Sequence, residues 1–480
     1  MSSPNHVNSY YAASANDKAV RPTLIGEQRC EVCIVGAGFT GISTALSLAE
    51  KGKKVIVLEG SRIGFGASGR NGGQIVNSFN RDIDYIFANY GDKIGQKMAK
   101  MAFAGSELIR HRIEKYQIDC DLKHGNVFAA CNEKQFAELK AKKALWETHG
   151  HNELELLDAN SIQDHIGSER YVGGLLDRKG GHIQPLNLVL GQANAFEALG
   201  GQIFEDSKVL RLEHGVPGKV ITEQGVVVAD KIVVAGNAYV FGLIPEVEKK
   251  AMPCGTQVIA TEPLSKTLQK QLLPTDRCVE DCNYLLDYYR LSGDGRLIYG
   301  GGTTYGARDP GKIESIIVPK MLTTFPYLKD VKIDYAWTGN FLLTIMPGFW
   351  LLNQFGERTI AGAPEPVLFT ATAMIGMIAL AGIVVRNSLI LVEFINQARA
   401  QGMAIKEALI AAGTVRMRPV LLTAGTTLLG NLVITLDPVF SGLAIAIIFG
   451  IVASTVFSLF VVPLVYYLVF TNPEEEAHAG

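Results

Sequence analysis

The sequence has no surplus of positive charge and no apolar N-terminus. Its 480 residues contain 45 lysines and arginines against 47 aspartates and glutamates, a formal net charge of −2. This balance offers no basic surface for a phosphate backbone, which argues against a nucleic-acid partner. Residues 1–28 are polar and lack the apolar core of a signal peptide, so we expect the first part of the chain in the cytoplasm.

Cysteine is scarce, and all seven cysteines lie at or before Cys282. Cys30 and Cys33 have C-x-x-C spacing, but they fall in a predicted strand, Cys30–Val35, where residues three apart point to opposite faces. This placement argues against a redox pair. Cys278 and Cys282 have no partners at metal-ligand spacing. The sequence therefore predicts buried or neutral thiols and no metal site.

Charge becomes rare after Thr344, which divides the chain into two parts of different composition. The length already suggests two to three domains. Before Thr344, charged and apolar residues alternate as in a soluble α/β protein. After it come three stretches without a charge, each apolar enough to span a membrane: Pro366–Val385, Val420–Leu436 and Phe440–Phe470.

A dinucleotide-binding fingerprint lies near the start of the first part. The predicted strand is followed by G-x-G-x-x-G and by a helix-favouring stretch, Ile42–Lys51. Gly36 permits the tight turn, Gly38 lets the backbone approach a pyrophosphate, and Gly41 lets helix and strand pack closely. Phosphate oxygens would then meet the N-terminus of the helix.

A second predicted strand, Lys54–Glu59, ends in an acid 18 residues after Gly41. Glu59 is placed to accept hydrogen bonds from a ribose diol, so the strand, turn, helix and acid together predict dinucleotide binding. The following loop, 61–74, is too rich in glycine for a helix or a regular strand. It carries polar side chains that are able to surround a flat polar ring: Ser68, Arg70, Asn71 and Gln74.

These residues resemble those of the D-amino-acid-oxidase-type flavoprotein superfamily. The resemblance implies FAD, with the loop, including Gly72 and Gly73, contacting the pyrophosphate and isoalloxazine. It also implies that the strand ending at Gly236 returns the chain to the FAD domain and that the backbone of Val209 meets adenine.

A closer resemblance, to the gamma-glutamylputrescine oxidase family of bacterial putrescine breakdown, covers residues 8–344. Five segments carry it: Ser9–Ala15, Gly180–Asn187, Met252–Gln257, Asn283–Arg290 and Trp337–Phe341. It implies oxidation of a primary amine, with oxygen as electron acceptor and with aldehyde, ammonia and hydrogen peroxide as products. The substrate, gamma-glutamylputrescine, is implied by this resemblance alone.

Two features of these segments bear on catalysis. His182, in a predicted Gly-Gly-His turn, is the candidate to contact substrate or tune the flavin, although a structural histidine is the alternative. Tyr284, Tyr288 and Tyr289 line a pocket only in part if their segment is a strand, because Tyr289 then lies on the other face. An aromatic-rich sheet face is the alternative interpretation.

The superfamily returns to the FAD domain after the Trp-Thr-Gly motif, through a turn and a helix whose N-terminus faces the flavin. Such a helix would stabilise the reduced flavin. Here the chain continues from Thr344 as Ile-Met-Pro-Gly-Phe-Trp and then into the apolar stretches. We therefore expect a truncated flavoprotein with impaired activity.

The apolar part resembles the last transmembrane helices of resistance-nodulation-division efflux pumps. Ala381–Ile395 and Arg416–Gly425 carry the resemblance. In that family, residues matching Arg386, Arg416 and Thr423 join a proton relay with acids that this sequence does not contain. The segment Asn396–Pro419, between the first and second apolar stretches, carries Lys and Arg residues, which predict that it is a cytoplasmic loop.

The predicted architecture is a Rossmann-type α/β FAD-binding domain with an inserted α+β substrate domain, truncated and followed by an all-α transmembrane segment. The boundaries are a tail over 1–28, FAD-binding parts over 29–80 and 180–240, substrate-domain parts over 81–180 and 241–344, helices over 345–470, and a polar tail over 471–480. We expect a cytoplasmic flavin domain anchored to the inner membrane, with an amine, oxygen and the lipid bilayer as partners. A transporter fragment and a non-functional chimera are the alternatives.

Overall fold

The computed structural model describes residues 6–79, 82–240, 242–248, 251–283, 285–305, 310–344, 359–360, 363–364, 389–434 and 441–470. The chain divides into two compact units, Met1–Ile345 and Met346–Gly480. Each unit is described by itself.

One sheet of the first unit has six strands in the order β7-β2-β1-β10-β9-β8. The strands are β1 (Gly26–Val35), β2 (Val55–Leu58), β7 (Gln202–Phe204), β8 (Arg211–Glu213), β9 (Gly218–Ile221) and β10 (Gly225–Val234). The first four in this order are parallel, and β9 and β8 add antiparallel edges. The parallel strands of this sheet, together with the two helices that pack on it, form the predicted Rossmann-type α/β architecture.

Helices α2 (Phe39–Ala49) and α5 (Pro185–Ala198) cover one face of this sheet. Ile34 and Val57 of the strands pack with Leu46 of α2 and Phe196 of α5 in one buried cluster. Strand β2 is buried along its whole length. A buried parallel strand is expected to be continuously apolar, as Val55–Leu58 is.

The second sheet has nine strands, eight of them in the order β15-β11-β14-β13-β12-β4-β6-β3, with β5 paired to β6. These strands are β3 (Gln74–Ile75), β4 (Lys123–Ala130), β5 (Leu154–Leu157), β6 (Gly173–His182), β11 (Ala251–Thr261), β12 (Cys278–Asp281), β13 (Tyr288–Leu291), β14 (Leu297–Tyr305) and β15 (Ile333–Thr344). The associated helices are α3 (Ile83–Lys115), α4 (Glu133–Thr148), α6 (Pro245–Glu248), α7 (Lys266–Leu272) and α8 (Ile313–Thr324). Side chains alternate between its faces, so Trp337 packs with the first sheet's core while Tyr289 packs with α8.

The N-terminal segment is part of the first unit's core. Helix α1 (Tyr10–Ala13) is capped by Ser9, whose Oγ accepts the Ala12 N–H at 3.2 Å. Tyr11 is fully buried and packs edge-on against Trp337, with 5.1 Å between ring centroids. The stretch predicted as a tail thus contributes buried aromatic area.

The second unit contains a two-stranded hairpin, β16 (Thr359–Ile360) and β17 (Ala363–Pro364), and a set of helices. These are α9 (389–400), α10 (Ile405–Ile434), α11 (Ser441–Val456) and α12 (Val462–Phe470), the last two joined by a π-helical turn over Phe457–Val461. Among the described residues, Ile447–Leu468 is the one helical stretch long and apolar enough to cross a membrane. Pro366–Val385, predicted to span, lies outside the described residues.

Candidate FAD site

The predicted phosphate turn has the geometry that its glycines require. Gly36 has φ +105°, and a Cβ there would lie 2.8 Å from the carbonyl oxygen of Ala235. A Cβ on Gly41 would lie 1.8 Å from the carbonyl oxygen of Gly36, so only glycine lets the helix approach the turn this closely. The helix begins at Phe39, three residues before the predicted start.

The N-terminus of α2 presents unpaired donors. Its first N–H, of Phe39, donates to Ser68 Oγ at 2.9 Å. The next two, of Thr40 and Gly41, have no hydrogen-bond partner among the described residues. Free N–H groups at a helix N-terminus favour an anion such as pyrophosphate. Gly38 lies beside them, and a Cβ there would meet Ser68 Oγ at 2.8 Å.

Glu59 lies at the end of β2, beside the turn. Its Oε2 accepts the Ala37 N–H at 2.8 Å and its Oε1 accepts the Ser61 N–H at 2.9 Å. Burial raises the pKa of Glu59, opposed by these backbone hydrogen bonds. The Gly60 backbone also hydrogen-bonds this carboxylate, which leaves one of its roughly four acceptor sites for a ribose hydroxyl.

The segment after β7 runs alongside Glu59. The Ser207 N–H donates to the Glu59 carbonyl at 2.8 Å. Two residues later, the N–H and C=O of Val209 have no partner among the described residues. One free donor and one free acceptor on the backbone of the same residue match the edge of an adenine ring.

Arg70 and Asn71 brace the loop that precedes β3. The Arg70 Nε donates to the Phe65 carbonyl at 2.7 Å, and its guanidinium lies 4.6 Å from the Phe65 ring centroid. The Asn71 Nδ2 donates to the Ala67 and Ser68 carbonyls, both at 3.0 Å. These two side chains therefore shape the loop through its own backbone.

The end of the loop passes close to the second sheet. A Cβ on Gly72 would lie 2.4 Å from the Tyr288 ring, and one on Gly73, at φ +83°, would lie 2.4 Å from the Ile183 carbonyl oxygen. Gln74 starts β3, and its Nε2 is buried without a partner in the described part of the chain. An orphaned buried donor at this position fits an acceptor atom of a ligand.

The returning strand β10 ends against the phosphate turn. The Ala235 N–H donates to the Val35 carbonyl at 2.8 Å, which joins the ends of β10 and β1. Gly236 follows, and its Cα lies 3.1 Å from the position of a Cβ on Gly36. The structure thus brings Gly36, Glu59, Val209 and Gly236 to one edge of the six-stranded sheet.

His182 is the last residue of β6, so the prediction of a Gly-Gly-His turn is wrong. Its side chain is fully buried, and Nε2 lies 3.1 Å from the Asp276 carbonyl oxygen. Burial, and then the charge of Arg290, lower the pKa of His182 to about 3. This surrounding favours a neutral structural histidine, and its catalytic role stays a prediction.

We expect His182 to make the fold acid-sensitive. The unfolded chain takes up a proton near pH 6.5 and the folded chain does not until about pH 3, so stability falls as the pH decreases through this window. Between pH 7.5 and 5 the loss is roughly 2 kcal/mol. Denaturant unfolding of H182N should lack this part of the pH dependence, whereas H214N, at an exposed position, should keep it. Equal pH dependence in the wild type and H182N would contradict the prediction.

Two contacts at the site had no sequence-based prediction. The Trp337 Nε1 donates to the Arg70 carbonyl at 2.8 Å, and the Arg290 Nε donates to the Gly72 carbonyl at 2.7 Å. Both residues stand in segments that support the family resemblance. Their place in these segments was the only sign in the sequence that the two residues matter for the site. Local sequence patterns do not predict the contacts themselves, because each contact joins residues more than 200 positions apart.

The cysteines of the described region are all free. Burial raises the pKa of Cys30 to about 11 and also raises that of Cys33. Among the described residues no group of three or more His, Cys, Asp or Glu side chains is placed to hold a metal ion. The thiols of β1 are therefore packing residues.

A helix N-terminus with free N–H groups, a buried acid at the end of β2 and a free backbone edge at Val209 form a dinucleotide-site geometry of the Rossmann type. The chain belongs to the FAD dependent oxidoreductase family, which matches residues 31–383. The predicted cofactor, FAD, is thereby confirmed, and the donors described above fit it.

Curated relatives narrow the comparison. Gamma-glutamylputrescine oxidoreductase of Escherichia coli K12 is 56% identical over 351 residues, covering 72% of this chain and 82% of the relative. The probable oxidoreductase OrdL of Haemophilus influenzae is 41% identical, covering 71% of this chain and 79% of the relative. The predicted resemblance is confirmed.

Solved structures agree on the fold. Glycine oxidase from Geobacillus kaustophilus superposes with a TM-score of 0.56 at 19% identity, covering 66% of this chain and 83% of that one. L-proline dehydrogenase from P. horikoshii also gives 0.56, at 18% identity, covering 68% and 84%.

The C-terminal part matches a different family, AcrB/AcrD/AcrF, over residues 366–470. The swarming motility protein SwrC of Bacillus subtilis is 38% identical over 100 residues, 20% of this chain. This chain spans about a tenth of that relative's length. The predicted resemblance to efflux pumps is thus confirmed for this segment.

Proposed function

We propose that the chain oxidises a primary amine, with gamma-glutamylputrescine as its substrate. The observation that carries this proposal is the 56% identity with a relative named gamma-glutamylputrescine oxidoreductase, across 82% of that relative. The oxidoreductase family match over residues 31–383 includes the residues whose geometry fits FAD. With oxygen as acceptor, the products are the aldehyde, ammonia and hydrogen peroxide.

The chain's own residues have binding and orienting roles in this reaction. Gly36, Gly38 and Gly41 let α2 receive the pyrophosphate, and Glu59 accepts hydrogen bonds from the ribose. The Val209 backbone would hold the adenine, and the loop ending in Gln74, where Gly72 and Gly73 admit close approach, would hold the isoalloxazine. Bound FAD supplies the chemistry by accepting a hydride from the amine-bearing carbon.

We also propose that turnover is impaired. The oxidoreductase match ends at residue 383, and the efflux match already begins at residue 366. Residues 366–383 are therefore matched by both families, and the efflux-type match takes over beyond them. Loss of a helix N-terminus facing the flavin removes an electrostatic contact whose loss in other enzymes costs ~10²–10³ in rate.

Amine oxidation by the purified, FAD-loaded full chain is the direct test. We expect hydrogen peroxide from gamma-glutamylputrescine at a rate at least tenfold below that of the E. coli relative, because the binding groups remain while the proposed loss of the returning segment would leave the reduced flavin less stabilised. An artificial electron acceptor in place of oxygen separates a slow oxidative half-reaction from slow amine oxidation. Turnover equal to the relative's would refute the impairment, and flavin that no amine reduces would refute the activity.

A second function, membrane anchoring, is supported by the second unit. Its helices expose large apolar side chains, among them Phe449, Val452, Phe460 and Leu464. Transport is less well supported. Thr423, matched to the proton relay, donates to its own helix at the Pro419 carbonyl, 2.9 Å away, and Arg386 lies outside the described residues. We propose that these helices hold a cytoplasmic flavin domain at the inner membrane.

A further inference from the structure

Arg290 on β13 is a buried cation without a carboxylate partner among the described residues. It is 1% exposed, and none of the described ion pairs includes it. Its three hydrogen bonds go to uncharged oxygens: Gly72 O at 2.7 Å, Leu291 O at 3.0 Å and Tyr11 Oη at 3.1 Å. Burying an unpaired charge is costly, so the arrangement needs an explanation.

The guanidinium lies against the two glycines that end the flavin loop. A Cβ on Gly73 would meet Arg290 Nε at 2.8 Å and Nη2 at 2.9 Å. The hydrogen bond to the Gly72 carbonyl fixes the adjacent peptide. Two of the five guanidinium donors thus connect the loop to α1, because the Nη2 bond to Tyr11 reaches the N-terminal segment.

The charge of Arg290 affects the pKa values of neighbouring side chains. It lowers the pKa of His182, which is paired with Gln74 across β6 and β3, after burial as the larger cause. It also opposes the burial that raises the pKa values of Asp121 and Asp276. Lys123 and Lys266 also act on Asp276, and Lys123 lies 3.5 Å from its carboxylate. Arg290 is therefore a buried positive charge beside the loop end, in addition to the buried Arg70 within the loop.

We propose that Arg290 is a positioning residue for FAD that holds the peptide at Gly72 and Gly73 in place and sets a positive charge beside the flavin. This inference rests on the proposed function, which places the loop along the isoalloxazine. Reduction adds negative charge to the flavin, and a fixed cation in a water-poor site favours that form. Arg290 would thus supply part of the stabilisation that the reduced flavin requires.

Two variants separate the two roles. R290K keeps the charge but loses the planar fork that holds Gly72 and Tyr11, so we expect FAD affinity to fall at least fivefold with little change in the reduction potential. R290Q loses the charge, so we expect weaker FAD binding and also a tenfold lower ratio of reduced to oxidised flavin at a fixed potential. That ratio corresponds to about 30 mV for a two-electron couple. R178Q, at an exposed arginine on β6, is the matched control.

FAD affinity is measured by fluorescence quenching on the full chain, and the potential by redox titration of the bound flavin's absorbance. An unchanged potential in R290Q overturns the inference even if binding weakens, because a merely structural arginine would also weaken binding. If R290Q does not fold, unchanged FAD affinity in R290K overturns it. A wild-type chain that binds no FAD overturns the proposed function and this inference together, whereas FAD binding with wild-type properties in both variants overturns the inference alone.

Discussion

Replacing Gly41 by alanine is expected to abolish FAD binding at micromolar concentrations. The added Cβ would lie 1.8 Å from the Gly36 carbonyl oxygen and 3.0 Å from its carbon, and both are backbone atoms that no rotamer change moves. Helix α2 and the phosphate turn must separate, which withdraws the free N–H groups of Thr40 and residue 41 from the pyrophosphate. Two charge-assisted hydrogen bonds at ~1.5–3 kcal/mol each correspond to a loss of roughly 100-fold or more in affinity.

A matched control exists on another helix of the same unit. Gly105 lies in α3, and a Cβ there would meet nothing within 4 Å. G105A should bind FAD as the wild type does and be more stable by ~0.5–1 kcal/mol, because alanine is the better helix former. Fluorescence quenching of added FAD and thermal unfolding of the apo protein measure both effects. Wild-type FAD affinity in G41A would show that α2 does not hold the pyrophosphate.

The dinucleotide half of the site was predictable because its signal is local. Strand, turn, helix and acid occupy the 30 consecutive positions Cys30–Glu59, and each step follows from backbone sterics or side-chain period. The predicted strand over Cys30–Val35 and the helix after it are confirmed, with the helix starting earlier at Phe39. That shift reflects Ser68, which caps the helix from 29 residues away.

The flavin loop was predictable in content and not in contacts. The polar residues of the loop suggested direct contact with the flavin ring. Arg70 and Asn71 instead make most of their hydrogen bonds to carbonyl groups of the loop itself. What holds the loop from outside are Trp337 and Arg290, on strands far along the chain. Such pairings depend on sheet order, which one sequence without a known partner strand does not specify.

The residue pattern of Asn283–Arg290, the tyrosine-rich segment, is compatible with either a helix or a strand. The structure places Tyr288 and Tyr289 on β13, so they face opposite sides. Tyr288 reaches Gly72 and Gly300, whereas Tyr289 stacks on Tyr299 with 5.2 Å between ring centroids. Tyr284 lies outside the described residues. Only Tyr288 of the described pair thus lies next to the flavin loop.

We expect the full chain to remain in the membrane fraction after carbonate extraction, and this is the second large effect. The Ile447–Leu468 stretch is 22 residues long, and at 1.5 Å per residue a helix of this length spans about 33 Å, enough for a hydrocarbon core of ~30 Å. It contains no charged residue. Val452 and Val456 lie one turn apart on it and are 50% and 53% exposed.

Replacing both valines by aspartate places two carboxylates near the middle of this stretch. Each costs ~2.5–3.5 kcal/mol at a membrane-helix centre, so the pair costs roughly 5–7 kcal/mol and should shift most of the protein into the carbonate-soluble or aggregated fraction. The control is V20D/M101D, which adds the same charge at exposed positions of the first unit. FAD binding belongs to the first unit, and neither control position is among or next to the residues proposed to hold FAD, so both double variants should still quench FAD fluorescence. A wild-type chain that carbonate extracts completely would exclude anchoring by these helices, and equal retention of both double variants would show that Ile447–Leu468 is not the segment responsible.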